Sequence, residues 1–277
     1  MRCLGMERIM KHALYGSLLL CGVLGTARAD YISEVLSDNP VVYYRFEESS
    51  GTTTVNAGSL GATHHATFNG TVGLGLSGPI TGAASNRALD LSGGSNSVFG
   101  NAAVTPANLG GDGSYSVEFW MKENVNHLGD VIALTNTSGD QHGILLELNN
   151  GPNTFRYLHR SPSTSGGGWN INPSSLTHTT GPGASWHHVV MVNDNNAMRL
   201  YVDGVLDPVT ATSVSPVNFD VNITLGQLRR SQAARNFDGQ VDEFALYDHA
   251  LGTARVQAHF NAAAIPEPSA MRLLLVG

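Results

Sequence analysis

The chain has 277 residues, with 15 Lys+Arg against 22 Asp+Glu, a formal charge of -7 and a charged fraction of 13 %. That fraction is about half the usual share and excludes a coiled coil or charge-driven disorder. The acidic balance, with no run of Lys or Arg along the sequence, argues against nucleic acid as a partner. A hydrophobic content of 42 % supports one large all-β domain or two small ones.

The first element is a leader. From Met10 the chain shows a basic start at Lys11, an apolar run over residues 13–25 and the small-residue cleavage pattern Ala27-Arg28-Ala29, which together predict a secretory signal peptide over residues 1–29. Met1 and Met10 both stand as possible starts. The apolar run is too short to span a bilayer, which takes about 20 residues. Cys3 and Cys21, the only cysteines, fall inside this leader. Cleavage after Ala29 leaves 11 basic and 21 acidic residues, a charge of -10, and no thiol for a disulfide, metal site or nucleophile.

A short helix is expected over 31–37, stopping before Pro40 because the residue preceding proline is pushed out of the helical region. Strands are expected over 41–46, 114–121, 131–134, 144–148, 154–158, 188–193, 199–202, 223–225 and 241–247, from alternation and β-branched or aromatic content. Tyr115, Val117, Phe119 and Met121 share one face, and Asp203-Gly204 supplies the positive φ angles of a type I′ hairpin. Segments 161–173 and 177–184, rich in Ser, Thr, Gly, Pro and Asn, predict long loops. A second helix is expected over 252–263, with Thr253 as its cap. Many short strands without alternating helices predict a two-sheet antiparallel β-sandwich over residues 30–263.

The blocks in this order resemble the bacterial laminin-G-like, concanavalin A-like jelly rolls. The resemblance rests on Tyr31 to Gly51, Ser116-Val-Glu-Phe-Trp-Met121, Trp186-His-His-Val189 with Arg199-Leu-Tyr-Val-Asp-Gly204, and Phe237-Asp-Gly-Gln-Val-Asp-Glu-Phe-Ala-Leu-Tyr247. That family includes sugar-binding modules, glucanases, adhesion domains and structural modules, so the fold alone does not choose among them. Its glucanases carry a Glu-x-Asp-x-Glu pattern, because a retaining mechanism needs two carboxylates about 5 Å apart. This chain lacks the pattern. Glu118 with Glu123 would face opposite sides of a strand, and Asp238, Asp242 and Glu243 have the wrong spacing. Gly-x-Ser-x-Gly and His-Glu-x-x-His are absent as well. The expected function is therefore a noncatalytic exported module binding glycan or exopolysaccharide. The alternatives are a structural or adhesive matrix protein that binds protein partners and, third, a glycoside hydrolase on the same fold.

Single residues refine this. His64-His65 and His187-His188 tempt a zinc site, but neighbours on a strand face opposite ways, and His188 is expected to be a packed, hydrogen-bonded residue. Asp242 shares strand parity with Phe244 and Leu246 and would need compensation if that face is buried. The family resemblance aligns Glu48 and Asp242 with positions near one sandwich edge where some relatives hold structural calcium, a cation suited by oxygen ligands. The competing expectation is that Asp242 accepts backbone N–H bonds or pairs with an arginine such as Arg45. Trp169, in Ser165-Gly-Gly-Gly-Trp-Asn170, is either a platform for a saccharide or a plug over the sandwich end.

Residues 264–277 form a tail. Pro266-Glu267-Pro268-Ser269 resembles the start of a PEP-CTERM sorting signal, which implies export to the cell surface or matrix of a Gram-negative bacterium and processing by an exosortase. The stretch that follows is too short to cross a bilayer and lacks the terminal basic cluster.

Overall fold

The computed structural model describes residues 30–81, 85–161, 163, 168–212 and 214–263. The expected leader with Ala27 and Ala29, and the expected sorting motif with Pro266, Glu267 and Pro268, lie outside the described residues. Asp30 caps the first helix, its carboxylate accepting the Ser33 N–H at 2.8 Å. Helix α1 runs over Tyr31–Ser37 and ends ahead of Pro40, with Asn39 in the left-handed region at φ 52°.

Strands β1 Val42–Tyr44, β2 Thr53–Thr54, β3 Ala66–Asn69, β4 Gly73–Ser77, β5 Arg87–Asp90, β6 Ser97–Gly100, β7 Tyr115–Glu123, β8 Gly129–Asn136 and β9 His142–Leu148 follow. Then come β10 Phe155–His159, β11 Trp169–Ile171, β12 His187–Asn193, β13 Ala197–Val202, β14 Val205–Leu206, β15 Ala211–Thr212, β16 Val221–Leu225, β17 Gly239–Tyr247 and helix α2 Thr253–Ala263. All pairings between these strands are antiparallel, in two sheets. The first has the order β14-β13-β12-β7-β17-β5-β4, with β1 on β17 and β15 on β13; the second has the order β11-β10-β9-β8-β16-β6-β3-β2.

The inner faces of the sheets close on one core. Tyr115, Val117, Phe119 and Met121 of β7 point into it, opposite Ile144, Leu146, Leu148, Phe155, Tyr157 and Ile223 of the second sheet, as the two-residue period requires. The outer face of the first sheet is covered by both helices. Tyr31 and Val35 from α1 and Val256 and Ala262 from α2 pack on Tyr43, Trp120, Val190, Tyr201 and Tyr247. Arg255 joins the helices, reaching the Glu34 carboxylate at 2.7 Å and the Asp38 carboxylate at 2.8 Å.

Four expectations are corrected. The sequence pattern marks no strand between residues 47 and 113, yet β2 to β6 lie there; they are two to five residues long, and short glycine-bearing segments such as Gly73–Ser77 show no clear alternation. The expected loop 161–173 contains β11, which pairs Trp169 with His159. Thr253 does not precede α2 but is its first residue, and its hydroxyl lies 2.9 Å from that of Tyr201. The parity argument for Asp242 fails because β17 is bulged. Its pairing with β7 steps from Asp242↔Trp120 to Ala245↔Glu118, so one extra residue enters, with Glu243 at φ 51°. Val241 and Phe244 both face the inner core as a result, and Asp242 shares the outer face with Trp120.

The β7–β17 pair at the centre of the first sheet leaves no room at Gly239. A Cβ there would lie 2.3 Å from the Lys122 carbonyl oxygen and 2.4 Å from the Phe237 ring. Gly239→Ala is expected to destabilise the protein by about 1–3 kcal/mol through overpacking, measured by urea denaturation; an unchanged midpoint would show that the pair yields freely.

Candidate functional site

The carboxylates fall into separate groups. Glu118, fully buried on the outer face of β7, accepts from Tyr31 Oη at 3.0 Å and Tyr247 Oη at 2.7 Å. His188 Nε2 lies 2.7 Å from it and His259 Nδ1 2.9 Å from it. Burial alone would raise this carboxyl, but the His259 charge and the hydrogen bonds from both histidines hold it well below the usual range. His188 is thus the packed, hydrogen-bonded residue expected. Glu123 emerges from the opposite face of the same strand, where His127 Nδ1 at 3.3 Å and His178 Nδ1 at 3.2 Å surround it. Glu118 and Glu123 therefore do not share a cleft.

The histidine doublets also separate. His187 Nδ1 turns to Asp203 at 2.8 Å, and His65 Nδ1 accepts the Asn56 N–H at 2.9 Å. Among the described residues no group of three His, Cys, Asp or Glu side chains is arranged to hold a metal ion.

The edge formed by β1, β5 and β17 carries the densest acidic group. Asp242 and Glu243 are fully buried. Asn86 donates through Nδ2 to Asp242 at 3.0 Å, to Glu243 at 3.3 Å and to Glu47 at 3.5 Å. The Asn86 Oδ1 accepts the Ile80 N–H at 2.9 Å, which fixes this orientation of the amide. Tyr43 Oη donates to Glu243, the Glu243 N–H bonds Asp242 Oδ1 at 2.8 Å, and Arg45 Nε lies 3.5 Å from Glu243. Burial, then repulsion from Glu243, pushes Asp242 well up. Burial also pushes Glu243 up to about 7, against the pull of Arg45 and Tyr43. Three carboxylates here face a single guanidinium.

Carboxyl oxygens suit a hard divalent cation, but these do not form a site for one. Asn86 Nδ2, a donor, already bridges Asp242, Glu243 and Glu47, and Gly78 packs so closely that a Cβ there would stand 2.0 Å from Asn86 Oδ1 and 2.5 Å from Asp242 Oδ2. Glu48 is placed differently from Asp242. Its Oε1 accepts the Val55 N–H at 3.1 Å, its Oε2 is buried without a partner among the described residues, and it lines a recess of about 360 Å³ with Arg45, Glu47, Val55 and Ala57. Sequence reasoning missed Glu47, Asn86 and Glu243; the doublets Glu47-Glu48 and Asp242-Glu243 were the available signal.

Trp169 sits on the edge strand β11, half-buried against the inner core, with its ring centroid 5.8 Å from that of His159. The outer face of the second sheet is more polar. Glu147 there receives Arg156 at 3.2 Å and also Arg235, and Asn170 receives Arg156 Nε at 3.1 Å.

The profile of the concanavalin A-like lectin/glucanases superfamily, in its laminin G form, matches residues 95–257, more than half of the chain, and the chain belongs to this family. No curated protein sequence matches it. Among solved structures, the binding domain of botulinum neurotoxin DC in complex with SialylT has a TM-score of 0.59 at 16 % identity, covering 82 % of this chain and 52 % of that one. The same binding domain in complex with rat synaptotagmin II has a TM-score of 0.59 at 15 % identity, with coverages of 82 % and 52 %. A botulinum neurotoxin type C structure, whose cell entry depends upon interaction with two ganglioside molecules, has a TM-score of 0.59 at 16 % identity, with coverages of 84 % and 53 %. The chain thus spans about half the length of these neighbours, and at such identities the likeness shows the fold alone.

Proposed function

We propose that this chain is an exported, noncatalytic binding module that recognises glycan or exopolysaccharide. The observation that carries this reading is the disposition of its acidic side chains. Glu118 is enclosed by four donors beneath the helices, and Asp242 and Glu243 are closed over by Asn86, Tyr43 and Arg45, so the candidate acid and nucleophile positions serve internal contacts. The jelly-roll fold shared with domains that engage SialylT and gangliosides supports a glycan as the target.

Surface location belongs to the same proposal. The leader pattern at residues 1–29 and the Pro266-Glu267-Pro268 motif support export to the cell surface or matrix and processing by an exosortase-type enzyme.

Glycan-array binding of the full chain, with and without calcium, tests the reading. Binding to a defined set of glycans without release of reducing ends is expected, and Trp169→Ala distinguishes the two roles open to that ring: lost binding with retained folding makes it a platform. Release of reducing ends would replace this function with hydrolysis. Self-association without glycan binding would replace it with a matrix-building role.

A further inference from the structure

The second sheet's outer face holds a feature that the linear sequence hides. Arg156 and Arg160 extend the outward side of β10, while Arg229 and Arg235 come from the segment joining β16 to β17. That segment lies across the same face, with Leu228 packed on Ala133, Leu145 and Leu158. Residues 30–263 contain only 10 basic side chains, the 15 of the chain less Arg2, Arg8, Lys11, Arg28 and Arg272, and four of the 10 meet here. Glu147 pairs with both Arg156 and Arg235, one carboxylate between two guanidiniums. Asp130 is fully buried, and burial and the Glu147 carboxylate push its carboxyl well up; Asp140 is turned to the Ser231 N–H at 2.7 Å.

Arg160 and Arg229 are left with a histidine between them. Arg160 Nη1 lies 2.8 Å from His142 Nε2 and Arg229 Nη2 lies 3.4 Å from His142 Nδ1. His142 is 9 % exposed, and burial followed by the four surrounding guanidiniums pulls it down to about 4, so the ring is neutral. A neutral imidazole has one lone pair and one N–H. It can accept from one arginine only, and its N–H then faces the donors of the other. Arg160 Nε and Arg229 Nε are also buried without an acceptor among the described residues. The group holds an excess of donors and positive charge and a shortage of acceptors, inside a chain that is acidic overall.

We infer that Arg160, His142 and Arg229 form a subsite for the oxyanion of an acidic sugar, a carboxylate or a sulfate ester. The inference rests on the glycan-binding function proposed above and names the class of glycan. One oxyanion between the two guanidiniums accepts from both, leaves His142 to donate to it or to accept from a sugar hydroxyl, and uses the planar fork that arginine presents to such groups.

The test is affinity electrophoresis of the full chain through polygalacturonate, dextran sulfate or neutral dextran at physiological salt. Retardation by an acidic polymer but not by neutral dextran is expected, and which polymer retards the protein identifies the oxyanion. Combining Arg160→Gln with Arg229→Gln should weaken the apparent affinity at least about tenfold. Arg199→Gln, at a guanidinium already paired with Asp194 at 2.6 Å, should leave it unchanged. Equal retardation of the double variant and the wild type would overturn the subsite. Binding of neutral dextran that survives the double substitution would overturn it while leaving glycan binding intact, and no retardation by any polymer would sink both. Should the double variant not fold, sulfate titration of the wild-type protein decides. Saturating shifts of the His142 imidazole resonances are expected, and their constancy would refute the proposal.

Discussion

Glu118→Ala is expected to remove about 3–5 kcal/mol of stability, the cost of breaking a buried ionic group and stranding its partners, and to lower the melting temperature by about 10 °C or more. Four donors from Tyr31, His188, Tyr247 and His259 lose their acceptor together, and two of them belong to the helices that cover the first sheet. The pH profile carries the signature. Glu118 is held well below its ordinary value of 4.5, so its contribution is present above about pH 4.5 and falls away as acid protonates it within the fold. His259 behaves oppositely. Burial would lower it, but the Glu118 charge and hydrogen bond raise it above its ordinary 6.5. Its contribution is complete below about pH 6.5 and is lost as the pH rises through the raised value. Urea denaturation of the wild type between pH 4 and 9 should show greatest stability between those limits. The variant should lose the part of this dependence that Glu118 and its hold on His259 supply, and parallel profiles for the two proteins would show that the pair is not ionised.

Asp242→Asn is expected to be more stable than the wild type at pH 8 and to have a shallower pH dependence, because it removes one of two adjacent buried carboxyl groups. The Asp242–Glu243 pair opposes folding at neutral pH. Glu243 pushed up to about 7 means that stability declines as the pH rises from about 4.5, where the unfolded carboxyl ionises, to about 7, where the folded one does. That decline is on the order of 3 kcal/mol, from 1.36 kcal/mol per unit. The substitution retains an oxygen at Oδ1 to accept the Glu243 N–H. Thermal melts of both proteins across this pH range check this. Equal melting temperatures at pH 8 would show that Asn86, Tyr43 and Arg45 compensate both acids in full.

What the sequence made legible was periodic and local. The alternation of Tyr115, Val117, Phe119 and Met121 marked the inner face of β7 correctly. Asp203 and Gly204 take φ values of 51° and 75° in the β13–β14 hairpin, as their side chains required. The helices at 31–37 and 252–263 were found to within a residue. Illegible was whatever depends on a register shift or on distant segments meeting. A single extra residue in β17 reversed the side to which Asp242 points, and no pattern in 241–247 announces it. Glu118 gathers partners from residues 31, 188, 247 and 259, and the arginines at 156, 160, 229 and 235 look isolated until two strands and a crossing segment bring them together. The absence of a basic run along the chain therefore did not mean the absence of a basic surface.

The contact of α1 with α2 also has a mechanical consequence. The chain leaves the first helix, builds both sheets and returns to the second helix beside the first, so the domain is closed at its ends by Arg255 with Glu34 and Asp38. Tension applied between residues 30 and 263 loads that clasp directly, and the strand ladders carry force only once it has parted. Whatever is tethered at either end pulls from the helical side, and the arginine-bearing face of the second sheet points away from the pull.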